Sequence, residues 1–467
     1  MHPTRHQGLP PRYGGRVVKA SRLLAACALA AVPLTTAAGG ADTPAALTLS
    51  QALQRVAKSS QASADRDLDV AASRQLTRQT RASLYPTLDI SGGFTDRDSP
   101  AIAVFGDFEA PLNDNTYLQY QVSARYLLWD GGLRRSSIAA AQALEDVAGD
   151  AGDVRIVGAQ LEGMGAYLQA MMAKARQAAV AKRIDAVQGH LKVVQDMFGQ
   201  GMVARNDLLE TEVRLRTVKD RALELTDQED AAVRELERLM GEAPGGTMSL
   251  PDRLPPPPPL GGSRDELVKD ALDSNPLIRA AQAKVTAAAK QAALQQLTGR
   301  PKVFAEAAHT YEQNPYMLYP NANYIFLGFS WNLFDGGTRT TQRERASLEV
   351  AKAQRALEEA RRQASNGVDK AYREYRQALR EAKTARANVA AAEENLRIEE
   401  DQYRAGLAKT TDVLDAEALL AESRFTLIAQ HYNAYLKQGR LLAFSGKNLV
   451  EFYSSLAPST EAKGASS

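Results

Sequence analysis

The chain repeats itself at a nearly constant offset, and that repeat constrains its fold more than any other feature. Trp129-Asp130-Gly131-Gly132-Leu133-Arg134 recurs as Phe334-Asp335-Gly336-Gly337-Thr338-Arg339, and the aspartates lie 335 − 130 = 205 residues apart. The same offset relates Phe198-x-x-Gly201 to Tyr403-x-x-Gly406, Asp207-Leu208-Leu209 to Asp412-Val413-Leu414, and Gly241 to Gly446. Self-similarity at fixed spacing marks one structural unit used twice. No insertion is needed from Asp130 to Gly241, so the two copies are expected to carry helices of equal length. Upstream the offset is 215, because Pro86 pairs with Pro301, which assigns the extra residues to a longer loop in the first copy.

Proline marks where those helices can run. None occurs from Leu112 to Ala243 or from Asn321 to Ala457, whereas Pro255 to Pro259 form a continuous run between the copies. Proline breaks helix interiors, and a run of prolines is a stiff connector. In the second proline-free stretch, small or apolar residues fall at Val350, Ala353, Leu357, Ala360, Ala364, Val368, Ala371, Tyr375, Ala378, Ala382, Ala385, Val389, Ala392, Leu396 and Tyr403. Steps of three and four make a heptad seam, here rich in alanine, on an otherwise charged helix. From Thr338 to Tyr403 such a helix would be ~100 Å long at about 1.5 Å per residue. A helix of that length needs partners along its whole course.

Between the helical stretches lie two segments that collect the aromatics: 17 of the chain's 29 fall within 85–129 and 301–334. Alternation there predicts strands. Ile325, Leu327, Phe329, Trp331 and Leu333 form one face, with Gly328, Ser330 and Asn332 opposite; the earlier copy gives Tyr120, Val122, Ala124, Tyr126 and Leu128 against Gln121, Ser123 and Arg125. Phe326 and Leu127 break the pattern. Strands with an apolar outer face and a polar inner face, rich in Tyr and Trp, are what an outer-membrane barrel requires. An amphipathic strand of a soluble sandwich shows the same alternation.

Composition removes other classes. Beyond residue 41 no apolar run approaches the roughly 18 residues of a transmembrane helix. The single Cys27 makes neither an intrachain disulfide nor a multi-cysteine zinc site, and His190, His309 and His431 have no metal-ligand spacing, so neither metal nor cofactor is expected. No Gly-rich phosphate loop or nucleophile elbow occurs, so no enzyme is expected. Residues 1–41 carry Arg5, Arg12, Arg16, Lys19 and Arg22 and no acid, so removing them takes the net charge from +2 to 2 − 5 = −3; nucleic acid is not an expected partner. Basic residues, then Leu23 to Leu34, then small residues describe a secretory signal peptide cleaved after Ala38 or Ala41. Leu24-Ala25-Ala26-Cys27 also fits a lipoprotein cleavage box. The expected organisation is a signal peptide over 1–41, a first unit over 42–244 (helix, two strands, long helical hairpin), a Pro-rich connector over 245–263, a second unit over 264–446 and a C-terminal tail over 447–467.

These residues resemble the TolC family of outer-membrane efflux proteins. Leu47-Thr48-Leu49-Ser50-Gln51-Ala52-Leu53 is similar to the family's first helix, Tyr85-Pro86-Thr87 precedes the first strand, and Trp129-Asp130-Gly131-Gly132 leads into the hairpin around Gly201. The second copy offers Ala271-Leu272-x-x-Asn275-Pro276, Phe334-Asp335-Gly336-Gly337 and Tyr403-Arg404-Ala405-Gly406-Leu407. The resemblance implies a mixed membrane β-barrel and α-helical barrel: a homotrimer in which each chain gives four strands to one twelve-stranded barrel in outer-membrane lipid, continued by a long helical tube into the periplasm. Four strands alone leave an open edge, which lipid does not tolerate.

The resemblance also implies sites. Gly201-Met202 and Gly406-Leu407 would be the periplasmic tips where an adaptor protein docks, in series with an inner-membrane transporter. Tyr403 and Asp207, with Asn206 beside them, match positions that hold the closed state. Asp412 and Asp415 match a carboxylate ring that favours cations; Asp412 equally fits a helix cap, a role that needs no pore. Ala408 stands where the family's gate arginine would be, with Lys409 next to it. Asp130, Gly131, Gly132 and Asp335, Gly336, Gly337 read as turns that convert strand to helix. The function implied is a passive exit duct for small molecules or proteins in a tripartite efflux or type I secretion system. The alternative is an exported coiled-coil structural or adhesion protein.

Overall fold

The computed structural model describes residues 46–455 except Pro244 and Thr247. The expected signal peptide, with Cys27 and its cleavage site, lies outside the described residues, as does the tail beyond 455.

The first unit runs α1 (Leu49–Ser59), α2 (Gln61–Ala82), β1 (Thr87–Asp96), β2 (Ile102–Phe105), β3 (Phe108–Pro111), β4 (Thr116–Trp129), α3 (Leu133–Gly199) and α4 (Arg205–Met240). The second runs α5 (Arg264–Ser274), α6 (Pro276–Leu297), β5 (Lys302–Glu312), β6 (Asn321–Ser330), α7 (Thr338–Arg404) and α8 (Thr410–Phe444). Helix lengths match across the copies: 11 and 11 residues for α1 and α5, 22 and 22 for α2 and α6, 67 and 67 for α3 and α7, 36 and 35 for α4 and α8. Surplus residues of the first unit form the β2–β3 hairpin between β1 and β4. The C-terminal segment is not simply a tail, since Leu449–Ser454 forms a short helix, α9, whose Leu449 and Tyr453 join the main core.

Local chemistry sets the breaks. Thr48 and Ser263 each accept an N–H from the residue three positions on and are answered by the Gln51 and Glu266 side chains, so both short leading helices open on a capping box. Ser60 caps α2, and Asn275 caps α6 with Pro276 at its first position. Gly241 and Gly446 close α4 and α8 in the left-handed region, with φ of 71° and 74°. A Cβ on Gly446 would lie 2.7 Å from the Ser274 hydroxyl, and one on Gly241 would overlap the Ser59 carbonyl. In both copies a long helix therefore ends against the break between two short ones, and only glycine fits.

β1, β4, β5 and β6 form one antiparallel sheet in that order. Next to it the helices lie side by side in the order α2, α3, α6, α7; further away α4, α3, α8, α7. The core sits between these levels, where Leu53 and Val56 of α1, Met164, Tyr167 and Met171 of α3, Leu236 and Met240 of α4, and Tyr435 and Leu442 of α8 are buried together. The connector is a strap across it: Tyr435 donates to the Pro255 carbonyl (2.9 Å) and Lys174 to that of Leu250 (2.7 Å). The α7 seam is buried from Leu357 to Ala378 and again at Ala385, Ala392 and Tyr403. Val368, Ala371 and Tyr375 meet Leu267 and Ala271 of α5 and Leu441 of α8, while Leu357 and Ala364 meet Ile278 of α6. No helix among the described residues is long and apolar enough to cross a membrane. Overfilling the seam should be felt: Ala364→Leu, at a position 1% exposed, is expected to destabilise the helices by about 1–3 kcal/mol, read from urea unfolding followed by circular dichroism.

Candidate functional site

Register divides the sheet into two unlike faces. Leu88, Ile90 and Phe94 of β1 pair with Ala124, Val122 and Leu118 of β4; Tyr120, Val122 and Tyr126 pair in turn with Tyr311, His309 and Ala305 of β5; Val303, Ala305 and Ala307 pair with Phe329, Leu327 and Ile325 of β6. Paired residues share a face, so this face is almost wholly apolar. Nothing among the described residues covers it: Ile90 is 79% exposed and Ile325 87%. Strands of 10 to 14 residues suit a tilted membrane crossing. Tyr120 stacks on Tyr311 at 5.1 Å and His309 bonds Asn323 at 2.8 Å at the end away from the helices, while Tyr126 and Trp129 stand at the helix end. Aromatics at both rims are the expected anchors of a membrane strand.

The alternation departs from expectation in two places. A bulge between Leu127 and Trp129 brings Trp129 opposite Val303, on the apolar face, so that Leu128 is the unpaired residue. β6 ends at Ser330, opposite the start of β5 at Lys302, so Trp331 and Leu333 lie beyond the ladder; Trp331 donates to the Gly299 carbonyl (3.0 Å).

The other face carries Asp89, Ser91, Gln119, Gln121, Ser123, Arg125, Glu306, Thr310 and Glu312 by the same register. Phe326 and Leu127, the exceptions to the sequence pattern, belong here. Leu127 pairs with Phe304, which lies 5.9 Å from Phe326; the Arg125 guanidinium sits 4.9 Å over Phe304 and 2.6 Å from Glu306. Gly328 is bare because a Cβ would overlap Phe326.

Sheet becomes helix through the same turn twice. The Asp130 carboxylate accepts from the Gly132 and Arg134 backbone N–H groups (3.0 and 2.9 Å) and from Arg134 Nε (2.9 Å). Asp335 repeats this with Gly337 and Arg339 at 3.2, 3.1 and 2.7 Å. Gly131, Gly132, Gly336 and Gly337 all have positive φ, from 67° to 91°, which leads the chain round into the helix axis. Burial alone would raise the Asp130 carboxyl, but the N–H bonds and the guanidinium of Arg134 hold it below the usual carboxylate range.

At the far end each hairpin turns through a Schellman motif. Met202 N–H bonds the Met197 carbonyl and Gly201 N–H that of Phe198; Leu407 and Gly406 do the same with Gln402 and Tyr403. Met202 and Leu407 stand 66% and 81% exposed at the two tips. Asp207 and Asp412 accept the N–H groups of Ala204 (3.1 Å) and Lys409 (2.9 Å), closing the first turns of α4 and α8. The helix-cap reading of Asp412 is thus present in the geometry. Asp412 and Asp415 are both exposed, one turn apart. Tyr403 is buried, accepts from the Thr410 hydroxyl (3.2 Å) and lies 5.1 Å from the His190 ring. Burial pushes the His190 imidazole down, and its Nε2 has no partner among the described residues. Within one chain Tyr403 and Asp207 share no hydrogen bond, and Asn206 is exposed on α4.

Two features escaped the sequence reading. Glu210, exposed on α4, stands 205 residues before Asp415, so the repeat itself could have found it. Arg183 of α3 binds both carboxylate oxygens of Glu417 of α8 through its Nε and one terminal nitrogen (2.8–3.1 Å), largely buried, and ties one hairpin to the other; no local motif announces it.

Comparison with known proteins agrees with this architecture. The family model described as outer membrane efflux protein matches residues 48–242 and 267–447, one match per unit. Protein CyaE of Bordetella pertussis is 26% identical over 362 residues, covering 75% of this chain and 74% of its own length. Alkaline protease secretion protein AprF of Pseudomonas aeruginosa is 24% identical over 288 residues, covering 60% of each chain. The outer membrane protein VceC of Vibrio cholerae superposes with a TM-score of 0.69 at 18% identity, over 86% of this chain and 96% of that one.

Two outcomes follow from the geometry. Removing one partner of a buried ion pair leaves the other uncompensated, so Arg183→Ala should cost roughly 3 kcal/mol in a urea titration while Arg216→Ala, an exposed pair with Glu212, costs under about 1 kcal/mol. Because Asp130 titrates below its unfolded value, its contribution is complete above the ordinary carboxylate range and is lost as pH falls through the folded value. Asp130→Asn should therefore cost about 1 kcal/mol at neutral pH, with the gap to the wild-type protein closing below about pH 4, measured as melting temperature against pH.

Proposed function

Because the chain belongs to the outer membrane efflux protein family, whose members are outer-membrane exit ducts of efflux and type I secretion systems rather than enzymes, we propose that it works as a ring of three copies around a continuous passage. The observation that carries this reading is that, among the described residues, every layer is open at both sides. β1 and β6 are free edges of the sheet; α2 and α7 end the upper helical layer, α4 and α7 the lower. Exposed apolar residues run along those edges, with Leu68 and Leu76 on α2, Leu209, Val213 and Leu223 on α4, and Leu348, Leu379 and Ile398 on α7. Placing β6 beside β1 of the next copy keeps every pairing antiparallel and satisfies the edge that lipid would leave bare.

Ring size follows from the inner face. Two copies make eight strands, a barrel whose interior side chains fill. With Phe304, Phe326, Tyr324 and Arg125 on that face, and four strands per copy, the twelve strands of three copies are the smallest ring of whole copies with room for a passage. The apolar face sits in the outer membrane, and ~100 Å of α3 and α7 reach into the periplasm.

There Gly201, Met202, Gly406 and Leu407 receive a periplasmic adaptor, and an inner-membrane transporter supplies the energy. Tyr403, fixed by Thr410 and His190, holds the closed tip together with Asp207 and Asn206 of the facing hairpin. Asp412 and Asp415, joined by Glu210, narrow it with carboxylates that favour cations. The relationship to an alkaline protease secretion protein favours a polypeptide as cargo. Planar-bilayer conductance tests the reading: the purified protein should form channels whose cation preference falls several-fold in an Asp412→Asn, Asp415→Asn double variant. Absence of any channel contradicts the duct; unchanged selectivity contradicts only the carboxylate ring.

A further inference from the structure

Two loops at the end of the sheet away from the helices expose apolar side chains that nothing among the described residues covers. The first is the β2–β3 hairpin. Its two-residue turn is Gly106-Asp107, with φ of +65° at the glycine alone, which fits a type II′ hairpin turn. Phe105 pairs with Phe108 and Ala103 with Ala110, and the Leu112 N–H bonds the Ala101 carbonyl at 2.7 Å. One face of the hairpin therefore consists of Ala101, Ala103, Phe105, Phe108, Ala110 and Leu112, without a polar residue. Phe105 and Phe108 are 69% and 66% exposed. An isolated two-stranded hairpin is marginal in water, so this face needs a cover.

The second loop, residues 313–320, joins β5 to β6. It is held in shape by Asn314, which is buried, donates to the Leu112 carbonyl (2.8 Å) and accepts the Tyr316 N–H (3.1 Å). Tyr316, Leu318 and Tyr319 are nonetheless mostly exposed. Met317 and Tyr319 border a cleft whose other walls include Ser91, Gln119, Gln121 and Thr310 of the polar face. The loop thus bends toward the passage and away from the lipid-facing side.

We propose that the apolar face of the hairpin is covered by the 313–320 loop of the next copy, so that three such contacts form a collar around the outer mouth of the barrel. This rests on the ring of copies proposed above. With β6 of one copy beside β1 of the next, the loop entering β6 at Asn321 and the hairpin leaving β1 at Asp96 lie at the same end of the same junction. Phe105 and Phe108 then face Tyr316, Leu318 and Tyr319 of the neighbour. Apolar surface on both sides of one junction is mutually covering. The inward bend of the loop favours a second copy over membrane lipid as the occupant.

The test is a Phe105→Cys, Leu318→Cys double variant of the full-length protein extracted in detergent and oxidised, with each single variant correcting for the native Cys27. Covalent dimers and trimers that disappear with reductant are expected on a non-reducing gel, from the double variant alone. Only monomer-sized bands, in a preparation that glutaraldehyde fixes as trimers, would overturn the collar and leave the ring standing; failure of glutaraldehyde to fix trimers would overturn both. Labelling of a cysteine at position 105 by a lipid-phase probe, without crosslinks between chains, would assign the face to lipid and overturn the collar. A second variant avoids dependence on crosslinking: Phe105→Ser with Phe108→Ser should leave the trimer assembled but lower its dissociation temperature by several degrees, and an unchanged temperature contradicts the contact.

Discussion

The structure depends on the backbone polar groups at the two edges of a four-stranded sheet. An unpaired N–H or C=O in hydrocarbon costs several kcal/mol, and β1 and β6 each present a row of them beside an uncovered apolar face. No rearrangement within the chain can satisfy both, because the outer strands are held apart by β4 and β5. The remedy is another copy, and it propagates: once β6 meets the next β1, the repeat of edge openness at α2 and α7, and at α4 and α7, places matching helices together all the way to the tips. One unmet requirement at the membrane end therefore dictates how a tube ~100 Å long is assembled.

Duplication makes this possible with few distinct devices. Each copy converts strand to helix by one Asp-Gly-Gly-x-Arg turn, reverses the helical hairpin by one Schellman glycine and seats the returning helix by one left-handed glycine against a break between short helices. The copies differ where function can differ. The first carries the extra hairpin at the outer end, and the second carries the alanine seam that admits α5, α6 and α8 close to α7. Small residues there trade individual burial for close approach of helices, and the mid-level core around Tyr167 and Leu442, strapped by the connector, supplies the larger apolar contacts.

Much of this was legible in the residues. The 205 and 215 offsets anticipated equal helices and a longer first loop, the seam positions from Leu357 to Ala392 proved buried at most heptad positions, and period-two alternation divided the sheet faces as far as Tyr126. The limits are physical. A bulge shifts pairing by one residue without a compositional signal, so Trp129 took the face expected for Leu128. β6 ends where its partner strand begins, a fact set by β5 rather than by the alternation in 331–333. The tips resisted most: Asp412 closes the first turn of α8, and Tyr403 bonds Thr410 and packs on His190, because hydrogen-bond partners within a few ångströms are a matter of three-dimensional neighbourhood that sequence spacing does not encode. Arg183 and Glu417, 234 positions apart, are the extreme case.

The central claim is that closure between copies, at β1 against β6, makes a duct out of an incomplete wall. The most direct measurement is the mass of the detergent-extracted protein by native mass spectrometry. Three chains per particle, persisting on dilution, is the predicted result. A stable single chain, or a ring of two, would contradict the account, because the first leaves both edges bare and the second leaves no passage.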